Sequence, residues 1–221
     1  ATHYNISLRE CVPSLWPGGG GSWATAGNWA GNVLPVSTNH FLFAGSGGAV
    51  THNHAPLNTG NGVVSALNFS NAVTGTYTIS GNAFSLLRGI TNHSTFPQVV
   101  NNNLTFLGST TTVSAASGTI TFGGNLTNNS SFLRVLGDVN ANGTISGPGG
   151  LTKTGAGTLA LTAINSYTGS TTNSSGIISL NATATFGDGT GLLVLNGGDL
   201  LSLNTRSGAP IANPILLAGS S

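Results

Sequence analysis

Three times in the second half of the chain a glycine opens a short apolar strand. These are Gly157-Thr158-Leu159-Ala160-Leu161, Gly176-Ile177-Ile178-Ser179-Leu180 and Gly198-Asp199-Leu200-Leu201-Ser202-Leu203, with glycines 19 and then 22 residues apart. In the first two, apolar side chains fall at the second and fourth positions after the glycine, the alternation of a strand with one buried side. In the third the alternating pair, Leu201 and Leu203, falls one residue later. A unit of this length cannot bury a core by itself. It suits one turn of a solenoid, whose core forms only when turns stack.

The rest of the chain agrees in kind. Strand signals recur at Val63–Phe69, Thr76–Ile79, Leu104–Leu107, Thr119–Phe122, Thr158–Leu161, Ile177–Leu180, Leu192–Leu195 and Leu200–Leu203. Between them lie Asn61-Gly62, Gly123-Gly124-Asn125, Asn142-Gly143, Gly147-Pro148-Gly149-Gly150 and Asn196-Gly197-Gly198, residue types that tight turns favour. No stretch repeats apolar residues at helical spacing. The expectation is an all-β chain.

Charge separates a solenoid from a sandwich. Only 4% of the 221 residues are charged, against about 25% in ordinary domains. A sandwich places charges on its solvent faces and edges. In a parallel solenoid like residues stack about 4.8 Å apart, so stacked charges repel while Thr, Ser and Asn ladders hydrogen-bond. Rungs of roughly 20 residues predict on the order of ten turns. Lys153, the one charge in the segment 147–180, is expected to be solvated.

The segment Gly149-Gly150-Leu151-Thr152-Lys153-Thr154-Gly155-Ala156-Gly157-Thr158-Leu159-Ala160-Leu161-Thr162 continues through Asn165-Ser166-Tyr167-Thr168-Gly169-Ser170-Thr171-Thr172 to Ser175-Gly176-Ile177-Ile178-Ser179-Leu180. It resembles the autotransporter-associated β-strand repeat, also called the passenger-associated transport repeat. Asn173-Ser174 departs from the Val-containing strand end usual in that family. Residues 184–203 resemble the segment that often follows the repeat. Trp16 to Pro35 resembles the start of large secreted bacterial proteins that carry it. The resemblance implies a right-handed parallel β-helix, secreted or displayed on a bacterial surface.

This reading divides the chain into an N-terminal extension strand (1–15), a Trp- and Gly-rich capping region (16–35) and a β-solenoid (36–221) with no cap at its C-terminal end. Tyr4, Ile6 and Leu8 alternate with polar residues and would either fold back or be donated to a neighbouring subunit. Pro17 to Gly21 is expected to act as a flexible hinge for that strand. Cys11, the single cysteine, either packs as a small residue or forms an intermolecular disulfide. Trp16, Trp23 and Trp29 are expected to plug the open end of the core, with a sugar-stacking platform as the alternative.

Catalytic chemistry finds little support. Polysaccharide-active β-helices need clustered carboxylates, and the repeat body holds only Asp138, Asp188 and Asp199, which read as turn residues. His52 and His54 share one side of a strand but lack adjacent ligands, making them weak metal candidates; surface or corner histidines are the default. Gly187-Asp188-Gly189-Thr190-Gly191 resembles a calcium nonapeptide, a motif that must be iterated. Asn-x-Ser/Thr triplets, including those at Asn68, Asn92, Asn103, Asn125 and Asn142, follow from a composition rich in these residues. No cofactor is expected. Nor is nucleic-acid binding, because the net charge is +1 with no basic stripe. No apolar run reaches membrane-spanning length.

The expected function is therefore that of a non-enzymatic, extracellular or cell-surface subunit, secreted after signal-peptide removal. It would assemble with copies of itself, by head-to-tail stacking or strand addition, into a filament, with a cell-surface or matrix polysaccharide as a further partner. A passenger segment of a surface adhesin is the alternative, and a polysaccharide-active enzyme is a remote third.

Overall fold

The structure, a computed structural model, describes residues 13–36, 39–53, 62–206 and 210–218. Among these the chain coils as a parallel β-solenoid of about eight turns. Helix is confined to the short 3-10 turns Ala26–Asn28 and Ala30–Asn32. Each regular turn visits three faces in the same order, and all the strand pairings between neighbouring turns are parallel.

The first face begins with Ser14–Trp16 and His40–Gly45 and ends with Leu193–Leu195 and Ile215–Leu217. One inward column runs through it as Phe41, Leu67, Ile90, Val113, Val135, Lys153, Asn173, Leu195 and Leu217. The second face carries Val50, Ile79, Val100, Phe122, Ala141, Leu161, Leu180 and Ser202 in register. The third is shorter and stacks Val64, Leu86, Phe106 and Asn128. These columns explain the alternation seen in sequence: the inward member joins a continuous core and the outward member a Thr/Ser/Asn ladder such as Thr105, Thr127 and Ser146.

The turn is not constant. Val50 to its partner Ile79 is 29 residues, whereas Leu161 to Leu180 is 19. Fewer turns than ten result, because the N-terminal turns consume more chain. Their wider section is filled by large rings: Trp16, Trp23, Trp29, Phe41, Phe43, Phe69 and Tyr77 are buried there. Later turns are filled mainly by Leu, Ile and Val. Burial of a large apolar side chain contributes roughly 1.5–3 kcal/mol, so stability is spread along the stack.

Two local expectations are corrected. The glycine run after Pro17 is not a hinge. Gly21–Ser22 is the first strand of the second face, paired with Val50 and Thr51, and Gly19 N–H donates to the Ser46 carbonyl at 2.7 Å. A Cβ on Gly20 would meet the Ala49 carbonyl at 2.5 Å, so the glycines permit a close approach between turns. At the other end, register places Leu200 beneath Ile178 and Ser202 beneath Leu180. Leu201 and Leu203 are left facing outward, 45% and 57% exposed.

Candidate functional site

At the N-terminal end the three indoles form one aromatic body. Trp16 and Trp29 meet edge-to-face with centroids 5.0 Å apart, and Phe41 lies 4.9 Å from Trp23 and 5.0 Å from Trp29. Trp16 Nε1 donates to Gly19 O at 3.0 Å and Trp29 Nε1 to Trp23 O at 3.1 Å. All three rings are at most 2% exposed, so none offers a face to a sugar in solution.

His52 belongs to the same body. Its ring lies 4.6 Å from Trp23 and 5.2 Å from Phe84, and its Nδ1–H donates to the Asn82 carbonyl at 2.8 Å. It is fully buried, not at the surface, and its metal partner candidate His54 lies outside the described residues. Among the described residues no group of three or more His, Cys, Asp or Glu side chains gathers to hold a metal. Tyr4, Ile6, Leu8 and Cys11 also lie outside the described residues.

Lys153 overturns its expected role. The side chain is fully buried, pointing inward in the column between Val135 and Asn173. Its ammonium reaches the corner that follows and donates to the carbonyls of Thr154 (3.1 Å), Gly155 (2.8 Å) and Ala156 (3.1 Å). Burial pushes its pKa below the ordinary lysine value, and the Asp138 carboxylate partly offsets that shift. The aliphatic stem packs as a core residue while the charge fastens a turn.

Buried amides perform the same service at other corners. Asn92 Nδ2 donates to the carbonyls of Phe96 and Gly118, both at 2.9 Å, while its Oδ1 accepts from Ser94 N–H at 3.0 Å and from the Ser94 hydroxyl at 2.8 Å. Gln98 Oε1 accepts from Tyr77 N–H at 2.8 Å, and Asn213 Nδ2 donates to Phe186 O at 2.9 Å. In sequence Asn92 stood out only as part of an Asn-x-Ser triplet, and Gln98 and Asn213 did not stand out. For Asn92 the available signal was its place two residues beyond the inward Ile90; Gln98 follows the exposed Phe96 and carried no such signal.

The carboxylates are dispersed. Asp138 Oδ1 accepts from Thr158 N–H at 2.8 Å on the next turn, and Asp188 Oδ1 accepts from both N–H and Oγ1 of Thr190. The Thr190 hydrogen bonds hold the Asp188 carboxyl below its usual pKa. Asp199 opens a second-face strand in register with Ile177 and Thr158, three turns beyond Asp138.

The last described turn is the most apolar exposed region. Ile215, Leu216 and Leu217 of the final first-face strand are 52%, 49% and 72% exposed, beside Leu201 and Leu203 of the second face.

Residues 151–180 match the family model of the passenger-associated-transport-repeat. No curated protein and no solved structure matches the chain. The repeat maps onto one full turn and the start of the next, from the first-face strand Gly150–Thr154 to the second-face strand Ile177–Leu180. Repeat and architecture together fit an autotransporter-associated repeat β-helix protein.

Proposed function

We propose that this repeat-bearing β-solenoid is a non-enzymatic structural protein of the extracellular space or cell surface, and that its copies stack head to tail into a filament. The passenger-associated-transport-repeat supports the coarse part of this reading, a passenger-type structural domain. The stacking part rests on one observation: the final first-face strand pairs in parallel with Leu193–Leu195 while its three side chains stay exposed. A parallel coil presents complementary donors and acceptors at its two ends, and a contact that repeats without closing gives a fibre. The right-handed sense of the coil belongs to the proposal as well.

Electron microscopy of the purified chain at increasing concentration tests it. Rods that lengthen with concentration are expected. Particles one chain long at the highest concentration overturn the assembly.

The matched repeat favours a second reading, in which the chain is a passenger segment of a longer surface protein. In that case a protein extended by its native downstream sequence covers Ile215 to Leu217. Hydrogen exchange of residues 215–217 then falls sharply in the extended protein and the purified chain forms no rods.

A further inference from the structure

We infer that the groove beside the first strand is the docking site of the chain's own N-terminal segment, residues 1–12, which covers the free edge of Ser14–Trp16. The docking stands apart from the stacking reading. Its consequence for assembly rests on that reading: a second copy must displace the segment to add a strand at this end.

An open groove of about 490 Å³ lies at the N-terminal end of the coil, lined by Pro13, Leu15, Trp29, Val33, Leu34 and Leu42 among others. Register sets Leu15 beside Leu42 on the outer side of the first face, where the following turns carry Asn68, Thr91 and Ser114. The outward ladder is therefore apolar only where it meets the groove. Val33 is 68% exposed there. The polar pair on the wall is satisfied within itself, since Asn39 Nδ2 donates to Ser14 Oγ at 2.8 Å. No charged side chain lines the groove. Its surface asks for an apolar, uncharged occupant.

The groove also runs along an open strand edge. Ser14–Trp16 pairs with Phe41–Phe43 on one side, and among the described residues no strand pairs with its other edge. An occupant can thus offer backbone groups as well as side chains.

Residues 1–12 meet both demands. The segment departs at Pro13, which itself lines the groove. That point is fixed: Gly21–Ser22 is paired and Gly19 N–H is held by Ser46, so the chain after Pro13 is no tether. Tyr4 to Leu8 holds no charge, and Tyr4, Ile6 and Leu8 alternate with Asn5 and Ser7. An extended strand of that pattern puts its apolar members on one side. Leu8 lies at most about 18 Å from Pro13, within reach of the groove. A tethered segment acts at a millimolar effective concentration, which a separate copy does not match in dilute solution. A sugar would need an open ring to stack on, and Trp29 is only 2% exposed.

Hydrogen exchange of the full chain, read by mass spectrometry at several protein concentrations, tests the docking. Amides of residues 4–8 should exchange about a hundredfold slower than in an unfolded chain, at every concentration. The double variant Ile6→Asp, Leu8→Asp should lose that protection while residues 63–73 keep theirs, which shows that the solenoid is still folded. Exchange of residues 4–8 at unfolded rates in the wild type overturns the docking. Protection that appears only as concentration rises assigns the groove to a second copy and overturns it too, as does protection unchanged in the double variant. Where rods form, the double variant should form them at lower concentration; a higher threshold overturns the competition. Rods with residues 4–8 unprotected overturn the docking alone, and protection with no rods at any concentration overturns the assembly alone.

Discussion

Lys153 stands in register with Asn173 on the next turn, and both side chains are fully buried in a column that the preceding turns fill with Val113 and Val135. Neither polar group points at the other's partners. The lysine caps the carbonyls of 154–156, and Asn173 Nδ2 donates to the Asp199 carbonyl at 2.8 Å, one turn further on. The lysine fastens the corner that its own strand leads into, and the asparagine ties its corner to the turn that follows.

The lysine is expected to stabilise through its stem as much as through its charge. Lys153→Ala should cost about 2–4 kcal/mol, since it leaves a cavity and removes three donors. Lys153→Met keeps the stem and should cost clearly less, because the freed corner carbonyls can bind water. Urea midpoints of the two variants check the order; equal losses would mean that only the charge matters.

Asn92 should be among the most sensitive polar positions. Asn92→Leu removes the amide that joins Phe96 and Gly118 and strands the Ser94 N–H in a buried corner, while the Ser94 hydroxyl keeps Phe96 O and Gln98 Nε2. A loss of about 2–4 kcal/mol is expected. Asn92 also lies in an Asn-x-Ser triplet, yet it is fully buried, so folded protein should carry no glycan there. Thermal unfolding and intact mass measure the two outcomes.

Two glycines with positive φ should respond differently to alanine. Gly19 has φ +76° and open space around its Cβ position, so Gly19→Ala carries backbone strain alone, about 1–2 kcal/mol. Gly89 has φ +117°, and its Cβ would sit 1.9 Å from the Thr112 carbonyl on the next turn. Gly89→Ala must push two turns apart and should destabilise well beyond the first variant. Comparison of thermal midpoints decides it.

Alkaline pH should weaken the fold. Burial raises the Tyr77 pKa from its ordinary value near 10 to about 12, and burial raises that of Tyr167 too. The folded state then keeps protons that the unfolded chain releases, so the Tyr77 contribution is complete below pH 10 and is lost as pH rises through 12, and Tyr167 acts in the same direction. Lys153 acts in the opposite sense. Its lowered pKa means that the unfolded chain holds the proton more tightly, so stability rises as pH approaches the ordinary lysine value from below. Tyr77→Phe should flatten the decline above pH 10 in denaturation series; an unchanged decline would show that Tyr77 ionises normally.

The solenoid was legible in sequence because its physics is local and periodic. Gly157, Gly176 and Gly198 mark the period, Leu159, Leu161, Ile178 and Leu180 mark the buried side, and the scarcity of charge reflects stacking of like on like. The matched repeat was legible for the same reason. What the sequence could not determine was the destination of each exception to the period. Leu201 and Leu203 alternate as a buried pair would, but the register inherited from Ile178 and Leu180 turns them outward. Lys153 looks like a surface charge, but its column leads inward, and the corner beside it supplies three carbonyls. The glycines after Pro17 look like a tether, but the wide first turns bring Ser46 and Ala49 against them. Alternation and composition are properties of a strand alone. Register and the sharing of a corner are properties of two turns together, and only the stacked structure decided them.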